Sequence, residues 1–477
     1  MRPRNTIIAL VVLVLIGGYA LVVRFYTQPE ATQKLFAVKP EDIAKIELRY
    51  PDRDLVVERA KGKPWRITKP IGADADQTTA DNLARAIAEC EITRTVEEKP
   101  TDLAPFGLAT PGTVVTITTF DKKKFPGIEI GKLAPVGFSA YIKTTDKPAV
   151  MLTSSGFPPG MNKTLDQLRN RDLMTFKVDN VQKLTLQKDT GPPIEVDREG
   201  DNWKIVKPAN YPADGTQVRQ LLSTLVNAKV VDFISDAPTN VTQYGLETPH
   251  LTTVVNLVAH GGASSESLLF GFKQTEQGKD GVFVRRGERA PIYTVHQFVM
   301  SGVDKSVLDL RDKTVLNFDP SAVASASIRS ASGAFTLKRG ADGKWSVVDG
   351  TKPNDADAAV VERFLDQMRE LKGLSIIADP MPNAALFGLD SPAVDITLSG
   401  KDGKLIGEVR LAKLSLKAAA PAAPNEPETP RVEYYATATP GKAVYALSDF
   451  SFSELNKTGQ QFVATPPPAS APSAATK

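Results

Sequence analysis

The sequence predicts an α+β protein: an N-terminal single transmembrane helix followed by three tandem homologous domains, each mainly antiparallel strands with one principal amphipathic helix. Three observations predict this class. The three tryptophans of the 477-residue chain, Trp65, Trp203 and Trp345, stand 138 and 142 residues apart. After each comes an Ala-Asp pair and an apolar stripe of helical period. Farther on, a block of the form aromatic-Gly-Leu-x-Thr/Ser-Pro opens a run of alternating β-branched residues. Such a period exceeds the roughly 20–50 residues of a solenoid turn, and each unit is large enough to own a core.

The N-terminal element is read from its charges and its length. Arg2 and Arg4 precede an uncharged, mostly apolar run, residues 7–23, which contains Ile7, Leu10, Val14, Ile16, Leu21 and Val23. A run of about 17 residues is at the short end of what spans a bilayer as a helix. A cleavable signal peptide would carry a shorter apolar region and a small-x-small site, whereas this run ends Ala20-Leu21-Val22-Val23. The expectation is therefore an uncleaved anchor within residues 1–30. The basic residues before it hold the N-terminus in the cytoplasm, so that the bulk of the chain is expected across the membrane, outside the cytoplasm.

The repeat domains are expected at residues 36–175, 176–317 and 318–460, beginning near Phe36, Phe176 and Phe318. In each, strands lead to the tryptophan and then to Lys69-Pro70, Lys207-Pro208 and, three residues later than the pattern requires, Lys352-Pro353. Asp76, Asp214 and Asp357 stand directly before a helix, where a carboxylate accepts from unpaired amides and suits the dipole, so capping is their expected role. The helical stripes are Ala80, Leu83, Ala84, Ile87, then Val218, Leu221, Leu222, Leu225, then Val361, Phe364, Leu365, Met368. The block containing Gly107, Gly245 and Gly388 reads as a tight turn that needs a permissive backbone. Strands follow at residues 113–120, 252–258 and 393–398, and again around Tyr141, Phe283 and Tyr435. Leu168-Arg169 and Leu310-Arg311 close the first two units, and the third is expected to lack that closure. A Pro/Ala-rich loop at 418–430 and a disordered tail at 464–477 complete the chain. With no Gly/Ser linker at the boundaries, the domains are expected to form a fairly stiff rod.

Composition removes several functions. Lys+Arg 58 against Asp+Glu 55 leaves a net charge of +3, with no excess to attract nucleic acid. Cys90 is alone, and His250, His260 and His296 all fall in the second unit, so the three repeats share neither thiol nor imidazole. No metal site, cofactor or catalytic residue is assigned. The tryptophans could stack on an envelope polymer, but packing on the helix is their expected role. Acid pairs such as Asp74 with Asp76 or Asp355 with Asp357 suggest hydrolysis, yet the second unit has no matching pair. Lys122-Lys123-Lys124 reads as a solvated turn rather than an anionic-lipid contact.

With its N-terminal anchor, repeated Trp-x-Ile-x-Lys-Pro, Ala-Asp before a helix, and aromatic-Gly-Leu-x-Thr/Ser-Pro, the chain resembles the bacterial DUF4340 family over residues 36–460 in three copies. That resemblance implies a membrane-anchored protein of a kind often encoded beside an ABC-type permease, its ATPase and a gliding-motility-type auxiliary protein. It carries over no catalytic residue. The function it implies is a non-catalytic accessory or scaffold subunit of an ABC-type membrane complex, with the inner membrane, the permease and the auxiliary subunit as partners. A cell-envelope polymer or ligand binder and a carboxylate-dependent envelope hydrolase are the alternatives.

Overall fold

The computed structural model describes residues 33–135, 139–154, 157–259, 262–275, 280–288, 291–350, 352–416 and 431–464. The expected anchor at residues 7–23, the loop 418–430 and the tail beyond Ala464 lie outside them. Among the described residues, no helix is long and apolar enough to cross a membrane.

Three antiparallel sheets of ten, nine and nine strands follow one another along the chain. In the third, the chain meanders outward through Ser325–Ser330, Gly333–Arg339, Trp345–Val348 and Pro353–Asp355. The helix Ala358–Arg369 then carries it to the opposite edge, Ser375–Ala378. It returns to the centre at Val394–Ser399, beside the first strand, and meanders back through Leu405–Leu416, Arg431–Thr439 and Val444–Leu447 to that edge. The same order recurs in the other two sheets, with helices Gln77–Ala88 and Gly215–Asn227 in the same role. Three mainly antiparallel domains with few helices are thus the architecture.

The helix covers one face of its sheet because of its stripe. Val361, Phe364, Leu365 and Met368 pack with inward residues of the strands, among them Ile328, Leu337, Ile396 and Leu411. Alternation along a strand sends the next residue to the other face, and Ala412 accordingly joins a separate cluster with Leu389 and Val444. The aromatic-Gly-Leu block closes that second face. Its aromatic meets the ring of the later strand edge-to-face in every domain: Phe106 with Tyr141 at 5.1 Å, Tyr244 with Phe283 at 5.0 Å, Phe387 with Tyr435 at 5.3 Å. Gly107, Gly245 and Gly388 end the short 3-10 turn at φ 68°, 69° and 66°, a left-handed conformation that a side chain disfavours.

Two expectations are corrected. The third Lys-Pro pair is not the counterpart of the others: Lys69-Pro70 and Lys207-Pro208 are cis bonds ahead of the edge strand, whereas Pro353 lies within its own edge strand, pairing with Val348. The third domain also does not lack a closure. Asp76 and Asp214 donate their backbone N–H to Leu168 and Leu310, and Asp357 donates in the same way to Phe462. Ala356 bridges Val463 as Ala75 bridges Arg169 and Ala213 bridges Arg311. Phe462-Val463 therefore stands where Leu-Arg stands earlier. The different residue types hid the equivalence.

The described residues form two compact units. One holds the first sheet and takes in Lys229–Phe233, and the other holds the second and third sheets. In the first, Gln33–Lys34 adds an outer strand to Glu91–Glu97. Within the second, Val315, Leu316 and Phe318 bury themselves in the core of the third domain, so the boundary segment is part of a core rather than a free linker. Arg311 fastens the same junction: its guanidinium lies 3.9 Å from the Tyr211 ring centroid and 2.5 Å from Asp379.

Candidate functional site

The recurrent motif residues hold the fold together. Asp76 accepts from the Thr79 amide at 2.7 Å, Asp214 from Thr216 and Gln217 at 2.9 and 3.2 Å, and Asp357 from Ala359 and Val360 at 2.9 and 3.3 Å. Each carboxylate therefore serves its own helix N-terminus. Trp65, Trp203 and Trp345 are 1%, 5% and 4% exposed, which leaves no ring face for a stacked sugar. Each ring is instead approached by an arginine of the preceding strand or its end, Arg59 at 4.2 Å and Arg198 and Arg339 at 5.8 Å. These arginines stand five or six residues before each Trp, a regularity that was available in the sequence. Asp74 is paired with Arg66 at 2.9 Å, and Asp355 is exposed on an edge strand.

A less regular site lies in the second domain. A cleft of about 470 Å³ opens between the end of the strand Val181–Lys188, the residue before Leu251–Ala259, the strand Gly262–Lys273 and the helix Gln297–Val303. His250 sits at its wall with Nδ1 3.2 Å from Asp189 and Nε2 3.6 Å from Asp304, while Lys188 Nζ lies 2.6 Å from Asp304. Burial pushes the Asp304 carboxyl up, but Lys188 and His250 more than offset it, and the net displacement is downward. The Gln297 amide, turned to suit its neighbours, donates to Asp280 at 3.2 Å and accepts from Lys273 at 2.8 Å. Phe272 and Met300 add an apolar side.

The first domain has a cleft of about 620 Å³ in the equivalent place, with different chemistry. Tyr50, Gly112 and Asn162 occupy the positions of Lys188, His250 and Asp304. The Tyr50 hydroxyl donates to Met161 O at 2.6 Å and accepts from Lys163 N at 2.9 Å, and burial raises its pKa. The imidazole and its carboxylates are therefore a specialisation of the second domain. His296 stacks on Phe298 at 5.6 Å, and His260 lies outside the described residues. Among the described residues, no group of three or more His, Cys, Asp or Glu is arranged to hold a metal ion.

Three copies of one antiparallel-sheet domain, with shared caps, buried tryptophans and a closure at the end of each, define a tandem-repeat protein of the α+β class. The chain belongs to the family described as Domain of unknown function (DUF4340), which matches residues 65–204 and 203–358. Each match starts at or beside a tryptophan, so the family's unit runs across a domain boundary and includes the closure. No curated protein matches the chain.

Proposed function

We propose that this protein is a non-catalytic accessory or scaffold subunit, held at the bacterial inner membrane by residues 7–23 with its domains on the periplasmic side, in an ABC-type membrane complex. The observation that carries the reading is the use of the repeated polar residues. The three Asp cap helices, the three Trp are enclosed, and Arg311 fastens one domain to the next. A chain whose recurrent polar groups are committed to architecture suits a spacer or platform. Arg2 and Arg4 support the orientation, and the gene-neighbourhood pattern implied by the family resemblance supports the partner class. Affinity purification from gently solubilised membranes tests it. Co-purification of a permease or auxiliary subunit is the expected result, and recovery of this chain alone, where other complexes survive, would overturn it.

A second reading, ligand binding, is favoured by the His250 cleft, where two carboxylates, two ammonium groups and an imidazole suit a small polar ligand with both signs of charge. A fragment screen by saturation-transfer NMR on the wild type and His250→Ala tests this. Zwitterionic fragments lost in the variant support it, and fragments bound equally by both argue against it.

A further inference from the structure

At one end of the first domain, two turns that are far apart in sequence meet the segment that leads in from the N-terminus. They border a groove of about 1200 Å³ lined by six cationic side chains and three carboxylates. Arg59 is already committed to Asp81, to the Ile43 and Pro40 carbonyls and to the Trp65 ring. The other five cations are Lys34, Lys39, Lys61, Lys63 and Lys123, and among the described residues none of them forms an ion pair.

The three homologous domains supply an internal control. Lys61 and Lys63 flank Gly62 in the first domain, Glu199 and Asp201 flank Gly200 in the second, and Asp342 and Lys344 flank Gly343 in the third. The turn folds with either sign of charge, so its lysines are not needed for folding. At the neighbouring turn the third domain has Asp402-Gly403-Lys404, with Gly403 at φ 75°. The first domain has Asp121-Lys122-Lys123, each Asp accepting from the amide two residues on, and Lys122 takes the left-handed position at φ 65°. A lysine held where the backbone favours glycine is a local cost to folding, and such costs persist where the side chain has a use.

The position in the chain points to that use. Nine residues lie between Val23 and Gln33, so the ten steps from one to the other span at most about 35 Å. Exposed charges are felt over about 8–10 Å at physiological salt, so a basic end tethered this close can dock on a charged bilayer. We infer that the Lys61/Lys63 and Lys122/Lys123 turns, with Lys34 and Lys39, form a docking face for the anionic phospholipid headgroups of the membrane that residues 7–23 span. This rests on the anchor reading of the proposed function. The docking would fix the first domain against the bilayer instead of leaving it on a loose tether.

The test uses the full chain in nanodiscs of phosphatidylcholine alone or with about one-third phosphatidylglycerol. Lysine labelling by an amine-acylating reagent is read residue by residue by mass spectrometry. Labelling of Lys61, Lys63, Lys122 and Lys123 should fall several-fold in the anionic discs and recover in high salt, while Lys344 and Lys404 at the corresponding turns of the third domain stay unchanged. Equal labelling in both discs, or an equal fall at Lys344 and Lys404, would overturn the inference. The pair Lys61→Glu with Lys63→Asp, which imports the turn charges of the second domain, should abolish protection at Lys122 and Lys123; persistence of that protection would also overturn it. Carbonate washing of phosphatidylcholine vesicles separates the two readings. A chain that is washed off but still floats with anionic vesicles at low salt removes the anchor and keeps the docking face. A chain that stays embedded without charge-dependent protection keeps the anchor and removes the face.

Discussion

A Cβ added at Gly271 would lie 2.0 Å from the Tyr244 carbonyl oxygen, and one at Gly131 2.2 Å from that of Phe106. These glycines let the aromatic-Gly-Leu turn sit directly on the strand. The third domain carries Ala412 at this position, and its turn, Ala384–Phe387, has four residues where the other two have three. Gly271→Ala should therefore destabilise the second unit by about 1–3 kcal/mol, read as a lower denaturant midpoint; an unchanged midpoint would mean the turn lifts away freely. Cys90 makes a second prediction at this scale. It is buried, and burial pushes its thiol up to about 12, far above neutral pH. A maleimide at pH 8 should leave it unmodified in the native protein and label it rapidly in denaturant, as followed by intact mass. The sequence shows that Cys90 is single; only its enclosure makes it inert.

The three long helices were the most legible elements. All twelve stripe positions, from Ala80 to Met368, are buried at 2% exposure or less, because a period of 3.6 residues leaves only one way to face a sheet. Their start was legible too, since an Asp before such a stripe has few other uses. Asp214→Ala should cost about 1 kcal/mol in thermal or denaturant unfolding, and Asp214→Asn should recover most of it, because the amide oxygen can still accept. The short elements were harder. Phe462-Val463 plays the part of Leu310-Arg311 through backbone hydrogen bonds alone, and backbone hydrogen bonds leave little trace in residue type.

For the molecule as a whole, Arg311 of the second closure ties the second domain to the third, since it pairs with Asp379 and lies over the Tyr211 ring. Arg311 and Asp379 are mostly enclosed, with 12% and 19% of their side chains exposed, so the pair is shielded from solvent more than a surface ion pair is. Arg311→Ala should cost about 1.5–3 kcal/mol and split the unfolding of the second and third domains into two calorimetric transitions. A single unshifted transition would show that the buried boundary segment holds the junction without the clasp. By itself the sequence determined the number of domains, their strand and helix content and the capping residues, because those depend on local spacing repeated three times. Tertiary structure alone decided which turn meets which strand, that the three tryptophans are closed to ligands, and that lysines about 60 residues apart border one groove. Such pairings depend on the crossover that carries each chain segment to the far edge of its sheet and back, and no local pattern encodes where that path returns.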